Sequence, residues 1–201
     1  MTFILPSLRF PRYNQGVLVT GFEAFGGLRH NPSEAVLKHL EGVRTALLPV
    51  DAEEAPRALA RLWAEGPRAV LHLGLAEGRP VVSLERVALN LLDFEKPDNR
   101  GRKVEERPVV EGGPLALAAR FPLKEALARL RQAGIPARIS LSAGSYLCNQ
   151  VFYLSLYHLP PEVPVAFVHL PPDETLALEK GGAYVPLAEQ VRAVRVLLEM
   201  L

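Results

Sequence analysis

VLVTGFEAFGGLRHNPSEAVLKHL, residues Val17 to Leu40, is the stretch whose reading decides the fold. Its first six residues, Val17 to Phe22, form an apolar run without polar alternation, the pattern of a strand covered on both faces. A glycine-punctuated turn comes next. Asn31 then stands as a helix cap, Pro32 falls at the first helical position, and Glu34 lies three residues beyond the cap, a capping-box-like start to a helix reaching about Leu40. The unit recurs along the chain. RTALLPV (Arg44 to Val50) reads as a strand, and DAEEAPRALARLWAEG reads as a helix started by Asp51, faced by Leu59, Leu62 and Trp63, and stopped by Gly66. RAVLHLGLA makes a third strand. Farther on come a helix in PLKEALARLRQAG ended by Gly134, a strand in ARISLSA (Ala137 to Ala143), and an apolar run VPVAFVHL (Val163 to Leu170). A final helix over about Pro186 to Leu201 carries Leu187, Val191, Val194 and Leu198 on one stripe, as expected of a helix packed on a sheet. The alternation is an α/β sandwich signature.

At 201 residues the chain suits one domain over residues 17–201, preceded by an irregular leader, residues 1–16, with two prolines and no periodicity. Residues 95–114, EKPDNRGRKVEERPVVEGGP, are dense in charge, glycine and proline, and long for a plain connection; they are expected to form an arm, lid or subunit contact. The composition is 49% hydrophobic and 22% charged with a net charge of +1, which calls for neither disorder nor a nucleic-acid partner. No run reaches the roughly 18 to 20 apolar residues of a membrane span, and the first residues lack the basic start and apolar core of an export signal, so no membrane association and a cytoplasmic location are expected. No CxxC, HExxH or acidic calcium loop is present, so neither a metal nor another cofactor is implied.

The single cysteine, Cys148, sits in SAGSYLCNQVFY (Ser142 to Tyr153), where an apolar strand runs into a helix. One cysteine closes no intrachain disulfide, and a thiol at a helix N-terminus is open to activation, although a lone cysteine also serves as a small buried apolar side chain. A catalytic thiol needs a base. Of the five histidines, His169 fits best: it ends the run VPVAFVHL, ligand sites of open α/β sheets gather beyond such strand ends, and Cys148 follows another strand. His72, inside RAVLHLG, reads as a satisfied core residue. Glu85, in SLERVALN, lies among apolar and small residues and so needs a partner: either an imidazole that it orients or an arginine such as Arg86. TGFEAFGG places Phe22 and Phe25 in a loop where two rings can flank a small flat group or pack into the core. It matches neither GxGxxG nor GxxxxGK[ST].

Together these segments resemble the pyroglutamyl peptidase I (pyrrolidone-carboxylate peptidase) family of cysteine peptidases. The resemblance spans nearly the whole chain and rests on VLVTGFEAFGG with NPS, GRP and ERVALN with PDN, SAGSYLCNQVFY, and FVHLP, in the family's order. It implies a three-layer α/β/α sandwich with a mixed, mostly parallel sheet, a Glu85, Cys148, His169 triad, and a lactam ring held by Phe22 and Phe25, with Asn31 also matching. It further implies removal of N-terminal pyroglutamate from peptides through a thioester, no cofactor, and a homo-oligomer, dimer or tetramer. Two positions depart from the pattern. Leu75 stands where many members have glutamine, and Glu95 falls where an arginine is usual, a charge reversal that opposes anion formation nearby. Two alternatives therefore stay open: a pyroglutamyl-peptide-binding homologue with weak or no catalysis, and an amidohydrolase acting on a related cyclic amide.

Overall fold

Val17–Phe22 is buried along its whole length and forms β1 at the heart of the sheet, as its unbroken apolar run predicts. A computed structural model describes residues 16–201, so the leader expected over residues 1–16 lies, Gly16 apart, outside the described residues. The later strands are β2 (Arg44–Leu48), β3 (Ala69–Leu75), β4 (Val82–Leu89), β5 (Ala116–Ala118), β6 (Ala137–Ser142) and β7 (Val165–Leu170). The helices are α1 (Pro32–Leu37), α2 (Glu54–Trp63), α3 (Leu123–Gln132), α4 (Leu147–His158), α5 (Glu174–Lys180) and α6 (Leu187–Leu198).

The seven strands form one mixed sheet in the order β2-β1-β3-β7-β4-β5, with β6 also paired to β4. The pairs β1–β2, β1–β3, β3–β7 and β4–β6 are parallel; β4 runs antiparallel to β7 and to β5. Side chains alternate between faces along each strand. Val17, Val19, Leu71, Leu73, Ala166 and Val168 meet α1, α3 and α6 in one core, whereas Leu18, Phe22, Val70, Val165 and Phe167 meet α2 and α4 in the other. Two cores, one on each side of the sheet, make the three-layer α/β/α sandwich that the sequence implies. No described helix is long and apolar enough to cross a membrane.

Local chemistry sets the element boundaries. Asn31 caps α1 by accepting the Ser33 N–H at 3.0 Å, with Pro32 at the first helical position. Asp51 accepts the N–H groups of Glu53 and Glu54 at 2.8 and 3.0 Å ahead of α2, and Gly134 ends α3 with φ 75°, a left-handed conformation that suits glycine. The last helix stops at Leu198, short of Leu201, and α5 is a helix that the sequence patterning did not single out.

One expectation is corrected. Because β4 opposes β7 and β6 follows β4, β6 runs antiparallel to β7, so Cys148 does not follow a strand that ends on the same edge as His169. Instead β6 ends opposite Val87, and residues 143–146 carry the chain to the level of Gly74. The segment 95–114 lies in the long loop between β4 and β5 and is tied to the rest of the domain. Leu92 and Arg107 exchange backbone hydrogen bonds, Asp98 accepts from the Arg100, Arg102 and Ala52 N–H groups, and Asn99 donates to Glu23 and to the Ala24 carbonyl.

His72, opposite Thr20 in the β1–β3 register, is fully buried, with its ring nitrogens 2.7 Å from the Thr20 hydroxyl and 2.8 Å from the Ser155 hydroxyl. Burial pushes its pKa down to about 3. The folded state keeps the ring neutral where the unfolded chain takes up a proton, so this contribution is present above the ordinary histidine pKa and is lost as pH falls toward 3, by about 1.4 kcal/mol per pH unit. Denaturant titrations between pH 7 and pH 4 should therefore show a shallower loss of stability in His72→Gln than in the wild type. Parallel pH dependences would refute this assignment.

Candidate active site

β4 carries Glu85 in its middle, completely shielded from solvent, and β7 carries His169 one residue from its end. The antiparallel register sets Ser83 opposite His169, which brings Glu85 onto the imidazole: His169 Nδ1 lies 2.7 Å from Glu85 Oε1. With Nδ1 donating to the carboxylate, Nε2 is the nitrogen left with a lone pair. The sequence left Glu85 with a choice between an imidazole and an arginine, and it has both. The arginine is Arg79, from the loop between β3 and β4, whose Nη1 reaches the same Oε1 at 2.5 Å and the Ser140 hydroxyl at 3.3 Å; Arg86 is exposed. Burial disfavours the Glu85 charge, but the bonds from His169 and Ser140 and the field of Arg79 outweigh it and hold the carboxyl below its usual range.

Cys148 is the second residue of α4. Asn149 fixes the start of that helix by donating to the Leu89 and Leu91 carbonyls at 2.8 and 2.9 Å and accepting the Leu89 N–H at 2.7 Å, while the Ser145 hydroxyl donates to the Asp93 carbonyl. The cap residue, Tyr146, makes no side-chain cap bond, so the first N–H groups of α4 are not occupied by a capping side chain. The thiol lies over Gly74, which pairs with His169 in the β3–β7 register. A Cβ at Gly74 would sit 2.8 Å from the Cys148 sulfur and 2.9 Å from Phe167 Cζ, so only glycine allows this approach.

Burial, reinforced by the Glu85 charge, pushes the thiol pKa up to about 12, with Arg79 acting in the opposite sense. Burial also pushes His169 below its ordinary value, against the pull of Glu85. The resting pair is thus a neutral thiol beside a neutral imidazole, and no hydrogen bond joins them among the described residues. Ionisation of the sulfur requires that its proton move to the ring.

Cys148 and His169 open into a cavity of about 290 Å³ lined also by Phe25, Leu75, Ala143, Gly144 and Tyr146, with Asp93, Glu95 and Lys96 among its polar residues. The two aromatic residues proposed from sequence divide here. Phe25 lines the cavity, whereas Phe22 is 3% exposed and packs in the core with α2 and α4; the aromatic neighbour of Phe25 is Tyr146, at 6.1 Å between ring centroids. Asn31 is 1% exposed and serves the turn, capping α1 and donating to the Glu23 carbonyl. Leu75 and Glu95 both border the cavity, Glu95 on its solvent side. Sequence reasoning passed over Arg79, Gly74 and Tyr146. Arg79 lies within the GRP segment, and an isolated glycine inside an apolar strand is a known mark of close approach. Among the described residues no group of three or more His, Cys, Asp or Glu is placed to hold a metal ion.

Comparison with known proteins identifies the family. The family model described as pyroglutamyl peptidase matches residues 15–201. The pyrrolidone-carboxylate peptidases of Pyrococcus furiosus and Deinococcus radiodurans are 40% and 42% identical to the chain, covering 92% and 91% of it and 96% and 92% of their own lengths. Among solved structures, pyrrolidone carboxyl peptidase from Thermus thermophilus superposes with a TM-score of 0.91 at 66% identity, over 92% of this chain and all of its own. Pyroglutamyl peptidase I from Bacillus amyloliquefaciens superposes with a TM-score of 0.87 at 29% identity, over 92% of this chain and 95% of its own. With a family model matched over nearly its full length and relatives of this identity, the chain belongs to the pyroglutamyl peptidase family.

Proposed function

We propose that the protein is a cysteine exopeptidase that removes N-terminal pyroglutamate from peptides, with Cys148 as nucleophile, His169 as acid and base, and Glu85 orienting the ring. The observation that carries this reading is the convergence of Cys148 and the Glu85-bonded His169 on one small, partly aromatic cavity. A ring without formal charge suits a cavity bordered by Phe25 and Tyr146, without the desolvation cost of a charged amino terminus.

As substrate binds, His169 Nε2 takes the Cys148 proton and the sulfur attacks the pyroglutamyl carbonyl carbon, forming a C–S bond and an oxyanion. The uncapped N–H groups at the start of α4 are the donors available to that oxyanion. Collapse breaks the C–N bond, the imidazolium protonates the departing amine, and a thioester remains. His169 then removes a proton from water, whose oxygen attacks the thioester and releases pyroglutamate. The proton returns to sulfur. The working form in this reading is a cytoplasmic dimer or tetramer; the outward-facing Leu115 and Leu141 near the β5 and β6 end of the sheet favour contact between copies.

On a pyroglutamyl arylamide, Cys148→Ala and His169→Ala should lose activity by at least about 10⁴-fold, and Glu85→Gln by about 10²- to 10⁴-fold, each with the native circular dichroism spectrum. Substrate binding without turnover by the wild type would favour the binding homologue, and faster hydrolysis of another cyclic amide would favour the amidohydrolase.

The mouth of the cavity adds a preference. Asp93 and Glu95 alternate with the buried Leu92 and Phe94, so both carboxylates face outward at the cavity, while Lys96 is 3.3 Å from Glu77. Peptides with lysine or arginine after pyroglutamate should exceed those with glutamate in kcat/KM by about three- to tenfold at low salt, less at high salt. Glu95→Lys should shrink or invert that ratio. An unchanged ratio would remove the mouth from the account of specificity.

A further inference from the structure

We propose that Arg79 is a positioning residue of the catalytic apparatus, holding Glu85 ionised and aimed at His169 so that the imidazole stays available as a base for Cys148. The inference rests on the reading of Cys148, His169 and Glu85 as the reacting set.

The geometry is specific. A single oxygen, Glu85 Oε1, lies 2.7 Å from His169 Nδ1 and 2.5 Å from Arg79 Nη1, while the buried Oε2 has no hydrogen-bond partner. The hydrogen bond with His169 and the ion pair with Arg79 therefore meet on one atom. Glu85 is completely buried, yet the Arg79 side chain is 27% exposed, so the loop between β3 and β4 delivers a cation from the surface to an interior carboxylate. Ser140, opposite Glu85 in the β4–β6 register, takes a second contact from the same Nη1 at 3.3 Å and fixes the guanidinium.

This contact has two effects. First, a buried carboxylate without a cation would tend to take up a proton; it would then no longer enforce the tautomer that leaves Nε2 free. Second, a carboxylate facing only the imidazole would raise the ring's affinity for a proton and leave less of it in the neutral, basic form at a given pH. The cation offsets part of the Glu85 charge. The field of Arg79 accordingly opposes protonation of His169 and favours ionisation of Cys148, while Glu85 does the reverse to both. The other titratable groups around the site are Tyr146, Asp93, Glu95 and Lys96, none of which contacts the Glu85 oxygens.

The test compares wild type, Arg79→Lys and Arg79→Gln by two readouts. One is the pH profile of kcat/KM on a pyroglutamyl arylamide. The other is the pH dependence of iodoacetamide alkylation, which reports Cys148 alone because the chain has one cysteine. Arg79→Gln should lower kcat by about 10- to 100-fold with KM changed by less than about threefold, move the acid limb of the profile upward, and slow alkylation at neutral pH. Arg79→Lys, which keeps the charge, should return the acid limb toward the wild-type position. Superposable acid limbs and alkylation profiles in wild type and Arg79→Gln would overturn the proposal, as would a lysine variant no better than the glutamine one. Should the wild type fail to hydrolyse pyroglutamyl substrates, the peptidase reading fails, whereas the alkylation profiles still decide the role of Arg79. Should Arg79→Gln not fold, the same two profiles measured on Arg79→Met against wild type decide it: superposable acid limbs and alkylation profiles would overturn the proposal, and an acid limb moved upward with slower alkylation would support it.

Discussion

Glu85 Oε1 is the atom on which this site depends. A carboxylate inside a sheet, with no solvent exposure, is tolerable only if its charge is matched and its oxygens are bonded. The charge is matched and Oε1 is bonded through a contact with His169 from β7 and another with Arg79 from the β3–β4 loop, while Oε2 is left without a partner. The sheet makes this possible through a change of direction. If β4 ran parallel to β7, its register would differ and Ser83 would not stand opposite His169. Pairing to β7 on one edge and β6 on the other then prevents Glu85 from sliding along the sheet.

The same charge has opposite effects on the two reacting groups. It favours an imidazolium on His169 and disfavours a thiolate on Cys148, and burial disfavours both charged forms. Burial prevails in the resting protein, so the thiol keeps its proton. In the proposed mechanism a sulfur held neutral until the proton transfers to the ring differs from a preformed thiolate, because the nucleophile is generated as the substrate carbonyl arrives and polar donors at the start of α4 meet the charge. The approach of sulfur to the sheet is set by backbone, since glycine is the only residue type at position 74 compatible with the 2.8 Å distance between a notional Cβ and the sulfur.

Much of this was legible in the sequence because the relevant signals are local. The unbroken apolar runs marked β1, β3 and β7, the Asn31-Pro32 pair marked the start of α1, and the position of His169 at a strand end pointed to the histidine that meets Glu85. The illegible part is directional or nonlocal. Nothing in VSLERVAL states that its strand opposes its neighbour, so the proximity of Cys148 to His169 was expected for a reason that the topology does not supply. Arg79 was passed over because six residues separate it from Glu85 across a turn, and pairing across a turn leaves no periodicity. Phe22 and Phe25 look equivalent in TGFEAFGG, but Phe22 is the last residue of a fully buried strand, and Phe25 lies beyond it in the loop.

The charge reversal at Glu95 also looks different in three dimensions. In sequence it opposes the formation of an anion on sulfur or on the carbonyl oxygen. In the fold the side chain sits on the solvent side of the cavity, in the segment where Leu92 and Phe94 turn inward and Asp93 and Glu95 turn outward. Water and salt weaken a charge there far more than they weaken one in the interior. Arg79, by contrast, acts on Glu85 through a direct contact at 2.5 Å with a residue that water does not reach. In the reading proposed here, the interior carries a cation that acts on the proton chemistry, and the mouth carries charges that act mainly on the peptide residue beyond the scissile bond. On that reading, the sign change at Glu95 acts on the choice of peptide and not on the thiol.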